Sequence, residues 1–219
     1  MTITIINPNS TSTMTDAMVR QAQDAAPHRH FIGWTSTKGP AAIQGPEDGD
    51  AATPPLLDLV KQASDAGSDG IVIGCFDDTG LQEAAKIATC PVIGIGQAAY
   101  TQAALLQWRF SVVTTLSVSV PVLERNISRL GISHHLARVR ASDVPVLALE
   151  ENPTAAVEQI LSEVRQAVAE DAIQTIILGC AGMVHVTEAV RREVHVPVID
   201  PVICAATCFD WLIPGAAAA

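Results

Sequence analysis

Positive charge is scarce in this chain and nowhere concentrated. Thirteen Lys and Arg face 23 Asp and Glu, for a net charge of -10, and no basic run is longer than Arg191-Arg192. Clustered cations hold polyanions, so this pattern argues against nucleic acid and anionic membrane as partners. Long apolar runs are missing too. The strongest, IVIGCF (71–76) and TIILGC (175–180), have the length of buried strands, well short of the ~18–20 residues of a membrane span. The opening MTITIINPNS has no basic segment followed by a long apolar stretch, so no secretory signal is expected. His28, His30, His134, His135, His185 and His195 form no metal-ligand spacing. His185, five residues after Cys180, reads as a helix-surface residue. Gly94-Ile95-Gly96 lacks the third glycine of a dinucleotide loop. The five cysteines, Cys75, Cys90, Cys180, Cys204 and Cys208, are an odd number. They fit a reduced, cytoplasmic protein better than a disulfide framework. Cys90, Cys204 and Cys208 read as core residues.

The chain has 219 residues, 48% of them hydrophobic and 16% charged, which suffices for a sizeable core. β-Branched runs alternate with stretches of helical period. Strands are expected at 2–7, 30–36, 70–76, 90–96, 109–115, 136–142, 175–180 and 196–200. Helices are expected at 12–26, 53–67, 79–89, 97–106, 120–131, 152–171, within 184–194 and at 201–213. The start at 53 rests on Pro54-Pro55, which leaves Glu47-Asp48-Gly49-Asp50 as an acidic loop, expected to be a mobile flap near the cleft. Nearly continuous apolar strands between amphipathic helices indicate parallel sheets covered on both faces, an α/β fold.

The pattern also repeats. Gly74-Cys75 recurs as Gly179-Cys180, CPVIG (90–94) as VPVID (196–200), and the strand at TIINPNST (4–11) aligns with SVVTTLSV (111–118). A nearly constant offset across three elements predicts two similar lobes related by a pseudo-two-fold axis, with the active site in the cleft between them. The lobes would comprise residues 1–97 plus 204–219, and 98–203.

In parallel α/β sheets ligands bind beyond the carboxyl ends of the strands. Cys75, Cys180, the Asn7-Pro8-Asn9-Ser10 turn and Thr114-Thr115 all fall there. Two thiols facing one ligand suit racemisation, which needs a base on one face of a carbon and an acid on the other. Helix starts after each cysteine would favour thiolate. The small residues Gly74, Gly179, Ala181 and Gly182 would let a substrate approach the backbone, whose N–H groups could hold a developing oxyanion. Two other readings fit the same residues. One is an amino-acid racemase, or an isomerase or decarboxylase with one protonating thiol. The other is a non-catalytic two-lobed binding protein.

The motifs INPNST (6–11), GPAAIQG (39–45), GCFDDTGL (74–81), FSVVTT (110–115), VPVLALE (144–150), LGCAGM (178–183) and VPVID (196–200), in this order, resemble the aspartate/glutamate/hydantoin racemase superfamily. Within it they are most similar to the hydantoin and allantoin racemases. The resemblance spans essentially the whole chain. It implies a cofactor-independent, often oligomeric racemase with Cys75 and Cys180 as acid and base and no metal. It further implies substrate contacts at Asn9, Ser10, Ile43, Phe76, Asp77, Thr114, Thr115, Ala181 and Gly182. Phe76 and Ala181 replace the Asn-Thr and Thr that follow the two cysteines in aspartate and glutamate racemases. A neutral ring is therefore the expected substrate, with Phe76 as its flat neighbour. Asp77-Asp78-Thr79-Gly80 departs from the Gly-Asp-Pro-Gly common in this branch and adds a carboxylate to the pocket wall.

Overall fold

A computed structural model describes residues 1–213; residues 214–219, with the terminal alanines, lie outside the described residues. The first half runs β1 (Thr2–Asn7), α1 (Ser12–Ala25), β2 (His30–Thr35), α2 (Pro46–Asp65), β3 (Gly70–Ile73), α3 (Leu81–Ile87), β4 (Val92–Gly94) and α4 (Ile95–Leu105). The second half runs β5 (Phe110–Thr114), α5 (Val120–Arg129), β6 (Leu136–Ala141), α6 (Ala148–Glu151), α7 (Pro153–Glu170), β7 (Thr175–Gly179), α8 (Thr187–Glu193), β8 (Val198–Ile199) and α9 (Pro201–Leu212). Single 3-10 turns at Ser117–Ser119, Ser133–His135 and Ala181–His185 link some of them.

The strands form two four-stranded parallel sheets in orders β2-β1-β3-β4 and β6-β5-β7-β8. The two orders are the same topology repeated, as the sequence offset predicts. Each sheet buries its faces in separate layers. On the first, Ile6, Ile71 and Ile73 meet Leu56 and Val60 of α2; on the second, Val113, Ile176 and Leu178 meet Ile160 and Val164 of α7. The opposite faces share one core, in which Ile3, Ile5 and Val72 join Val112 and Ile177 through residues of α4 and α9. Those two helices lie between the sheets: α4 touches both β4 and β7 and packs on α9, while α9 touches both β3 and β7 and packs on α1. Phe209 of α9 stands over Gly70 so closely that a Cβ there would come within 2.4 Å of its ring. Fully buried Tyr100 of α4 stacks on Phe110 at 6.1 Å and meets Phe76 edge-on at 5.2 Å.

The helix α2 starts at Pro46, earlier than the paired prolines suggest, and the acidic stretch is its first turn rather than a loop. Pro46 takes a position where a missing N–H is harmless. Glu47 and Asp48 complement the dipole, and the Asp48 carboxylate accepts the Gln44 N–H at 2.9 Å. Pro54 and Pro55 are carried inside the helix. Gly94-Ile95-Gly96 serves the start of α4. The Asp78 carboxylate accepts the Gly96 N–H at 3.0 Å, and a Cβ on Gly94 would fall 2.0 Å from that carboxylate.

Candidate active site

β1, β3, β5 and β7 bring their carboxyl ends to one edge. Asn7 ends β1, Ile73 pairs with both Ile6 and Gly94, and Thr114 pairs with Gly179. The chain beyond these ends encloses a small cavity of about 30 Å³. It is lined by Asn9, Met14, Ile43, Gly74, Cys75, Phe76, Asp77, Thr115, Ser119, Val146, Gly179, Cys180, Ala181 and Gly182. Both predicted catalytic thiols and most of the predicted contacts thus meet in one place. At ~10–15 Å³ per water this space holds two or three waters, not a ring with two carbonyls. The cover comes from both halves: Ala42 and Val146 pack with Met14 and Cys180, and Gln44 Oε1 accepts the Val146 N–H at 3.0 Å.

Two predicted contacts do not line the cavity. The Ser10 hydroxyl donates to the Pro40 carbonyl at 3.3 Å and ties the Asn9 turn to the covering loop. Thr114 is buried within β5, with its hydroxyl donating to the Gly179 carbonyl at 3.0 Å. Phe76 is only 2% exposed and its ring is committed to Tyr100 rather than lying open as a flat wall. His185 is exposed, away from the cavity. Asn9 is well prepared. Its Oδ1 accepts from Asn7 Nδ2 and Thr11 N–H, both at 2.9 Å. That leaves its amide donors only a 3.7 Å contact with the Met14 sulfur. Asn7, which also accepts the Asn9 N–H, is a positioning residue that the sequence placed at the strand end without assigning it a role. Met14, Ser119 and Val146 were passed over, because only the folded chain brings them to the cavity.

The glycines before the thiols serve the protein side of the site. A Cβ at Gly74 would meet Met18 Sδ at 2.9 Å; one at Gly179 would meet the Val113 carbonyl at 2.9 Å and Val112 Cγ1 at 2.8 Å. They let the strand ends pack, and both also line the cavity, where small residues were expected. At Gly182 a Cβ would meet Leu149 at 2.8 Å.

Groups that favour thiolate surround each sulfur. The Thr79 hydroxyl donates to Cys75 Sγ at 3.4 Å, and the Gly182 N–H donates to Cys180 Sγ at 3.4 Å. Burial outweighs them. It pushes the Cys180 thiol up to about 12, with the Asp77 charge adding to the rise. It pushes Cys75 higher still, again with Asp77 contributing. The expected net preference for thiolate is therefore absent from the closed cavity. Asp77 is itself raised by burial to about 6, against the pull of Ser119. Among the described residues no group of three or more His, Cys, Asp or Glu could hold a metal, and no helix is long and apolar enough to cross a membrane.

The profile of the Asp/Glu/Hydantoin racemase family matches residues 3–208. A hydantoin racemase of Rhizobium meliloti is 42% identical over 97% of this chain and 89% of its own length. One from Pseudomonas sp. (strain NS671) is 36% identical over 93% of this chain and 82% of its own. The solved allantoin racemase from Klebsiella pneumoniae superposes with a TM-score of 0.90 at 35% identity, covering 95% of this chain and 85% of that one. With two like sheets and two strand-end cysteines meeting at one cavity, the chain belongs to the Asp/Glu/hydantoin racemase family and is an isomerase of that family.

Proposed function

We propose that the protein racemises a 5-substituted hydantoin or allantoin by two-base proton transfer between Cys75 and Cys180. The observation that carries this reading is the lining of one cavity by two thiols, each just past the equivalent strand of its sheet. Relatives named hydantoin and allantoin racemases support the choice of substrate. One thiolate takes the proton from the chiral carbon, and the electron pair passes into the neighbouring ring carbonyl as an enolate. The opposite thiol then gives its proton to the other face, ending as thiolate while the first ends as thiol. The enolate supplies the delocalisation, so the reading requires no cofactor. The Asn9 amide is the donor available to the developing oxyanion. The burial that raises the thiols makes each thiolate a stronger base, closer in pKa to a weak carbon acid. Entry of the ring requires the Gln44–Val146 bridge to part.

The chemistry needs both thiols reduced, which suits the cytoplasm; all five cysteines are free. The division into 1–97 plus 204–219 and 98–203 is supported by the packing of α9 on α1 of the first half. The test follows one enantiomer of 5-benzylhydantoin in deuterium oxide by polarimetry and by NMR at the chiral carbon. Cys75→Ser and Cys180→Ser should each slow racemisation by roughly 10²–10⁴-fold. Undiminished racemisation in either variant would overturn the assignment.

A further inference from the structure

We propose that Asp77 restricts the pocket to uncharged substrates and accepts an N–H of the ring beside the reacting carbon. The inference rests on the hydantoin reading above and adds the residue that sets the charge of what may enter. Among the described residues the cavity is lined by no Lys, Arg or His, and Asp77 is its only carboxylate. A substrate carboxylate would find no cation there and one fixed anion. Asp77 also lines a wider, open cleft of about 650 Å³ that adjoins the cavity, so it stands where a ligand would pass between the two.

Its position is imposed by the second half of the chain. Ser119 Oγ donates to Asp77 Oδ2 at 3.2 Å, and Asn126 Nδ2 donates to the Asp77 carbonyl at 2.7 Å. Among the described residues it has no ion-pair partner and no donor to Oδ1. A half-buried carboxylate with an open oxygen is short of hydrogen-bond donors, and a ring N–H meets that need. Asp78, its neighbour, is turned away to cap α4 and cannot do the same. The other titratable groups near Asp77 are the two thiols, Asp78 and the buried Tyr100. None of these supplies a positive charge; Arg125 and Arg129 line the wider cleft with Asp77 but not the cavity, so the exclusion acts on a substrate seated between the thiols. A second unit charge about 4 Å from an ionised Asp77, at an effective dielectric of about 20, is disfavoured roughly 10³-fold.

The test compares 5-benzylhydantoin with its ring-opened anion, N-carbamoylphenylalanine, by calorimetric binding at pH 8. The unmodified protein should bind the hydantoin at least 10²-fold more tightly than the anion. Asp77→Asn, which keeps the shape and one acceptor, should gain 10-fold or more for the anion and lose a few-fold for the hydantoin. The unmodified protein offers a second measurement that needs no variant. Its affinity for the anion should rise as pH falls from 8 to 5, with a midpoint near the Asp77 value of about 6. That rise should vanish in Asp77→Asn. No gain for the anion in Asp77→Asn, or pH-independent discrimination in the unmodified protein, would overturn the proposal. Binding reads the charge selection and deuterium exchange reads the reaction, so the two readings fail separately.

Discussion

Cys75 and Cys180 occupy equivalent strand ends, yet their surroundings are built from different materials. Cys180 opens a 3-10 turn and meets the N–H of Gly182, a backbone donor. Cys75 is served by a side chain, Thr79, and faces a carboxylate, Asp77, held by Ser119 and Asn126 from the other half. The Cys180 side is thus fixed by main-chain geometry, whereas the Cys75 side can be retuned one residue at a time. The repeated strand order brings up the pair of thiols; the different neighbours of one of them make the adjustable face.

The largest effect that sharpens this contrast is on stability. The folded Asp77 value of about 6 lies above its ordinary 3.8, so the folded protein holds this proton more tightly than the unfolded chain. Its favourable contribution is full below pH 3.8 and is lost as pH rises through 6. At 1.36 kcal/mol per pKa unit the loss is up to about 3 kcal/mol. The gain of Asp77→Asn over the unmodified protein should therefore grow between pH 4 and 7 and then level off, as measured by urea denaturation. A difference that does not vary with pH would mean that the carboxylate is not held in a desolvated place. Next come the two glycines. Gly179→Ala forces a Cβ against backbone and should cost about 1–3 kcal/mol. Gly74→Ala mainly displaces the flexible end of Met18 and should cost less. Equal losses in thermal melts would remove that asymmetry. Smallest is Thr79→Val, which takes one hydroxyl from Cys75 and should lower kcat about 10-fold, on the scale of ~1–1.5 kcal/mol for one hydrogen bond. The pH profile should move to the alkaline side, and Thr79→Ser should restore it.

The repeat, the strand sequence and the two thiols were legible because buried parallel strands write themselves as apolar runs at constant spacing. Side-chain direction was harder. Thr114 and Thr115 stand together in sequence, but alternation along an extended chain sends them to different places. Only Thr115 lines the cavity, and only the pairing of Thr114 with Gly179 explains why. The start of α2 was misplaced because paired prolines normally open a helix, and Pro46 already does so here. Helix α6, four residues long, carries too little periodicity to be seen. Ser119 and Asn126 left no local trace, since their role lies in reaching across to Asp77.

The packing of α9 back onto the first half has a consequence for biosynthesis. The inner face of the first sheet, with Gly70 under Phe209, is finished only by α9, the last described helix to be made. While the ribosome is still adding the second half, Ile3, Ile5 and Val72 wait without their final cover. The nascent chain therefore carries an exposed apolar surface for most of its synthesis, the period in which chaperones act and aggregation begins.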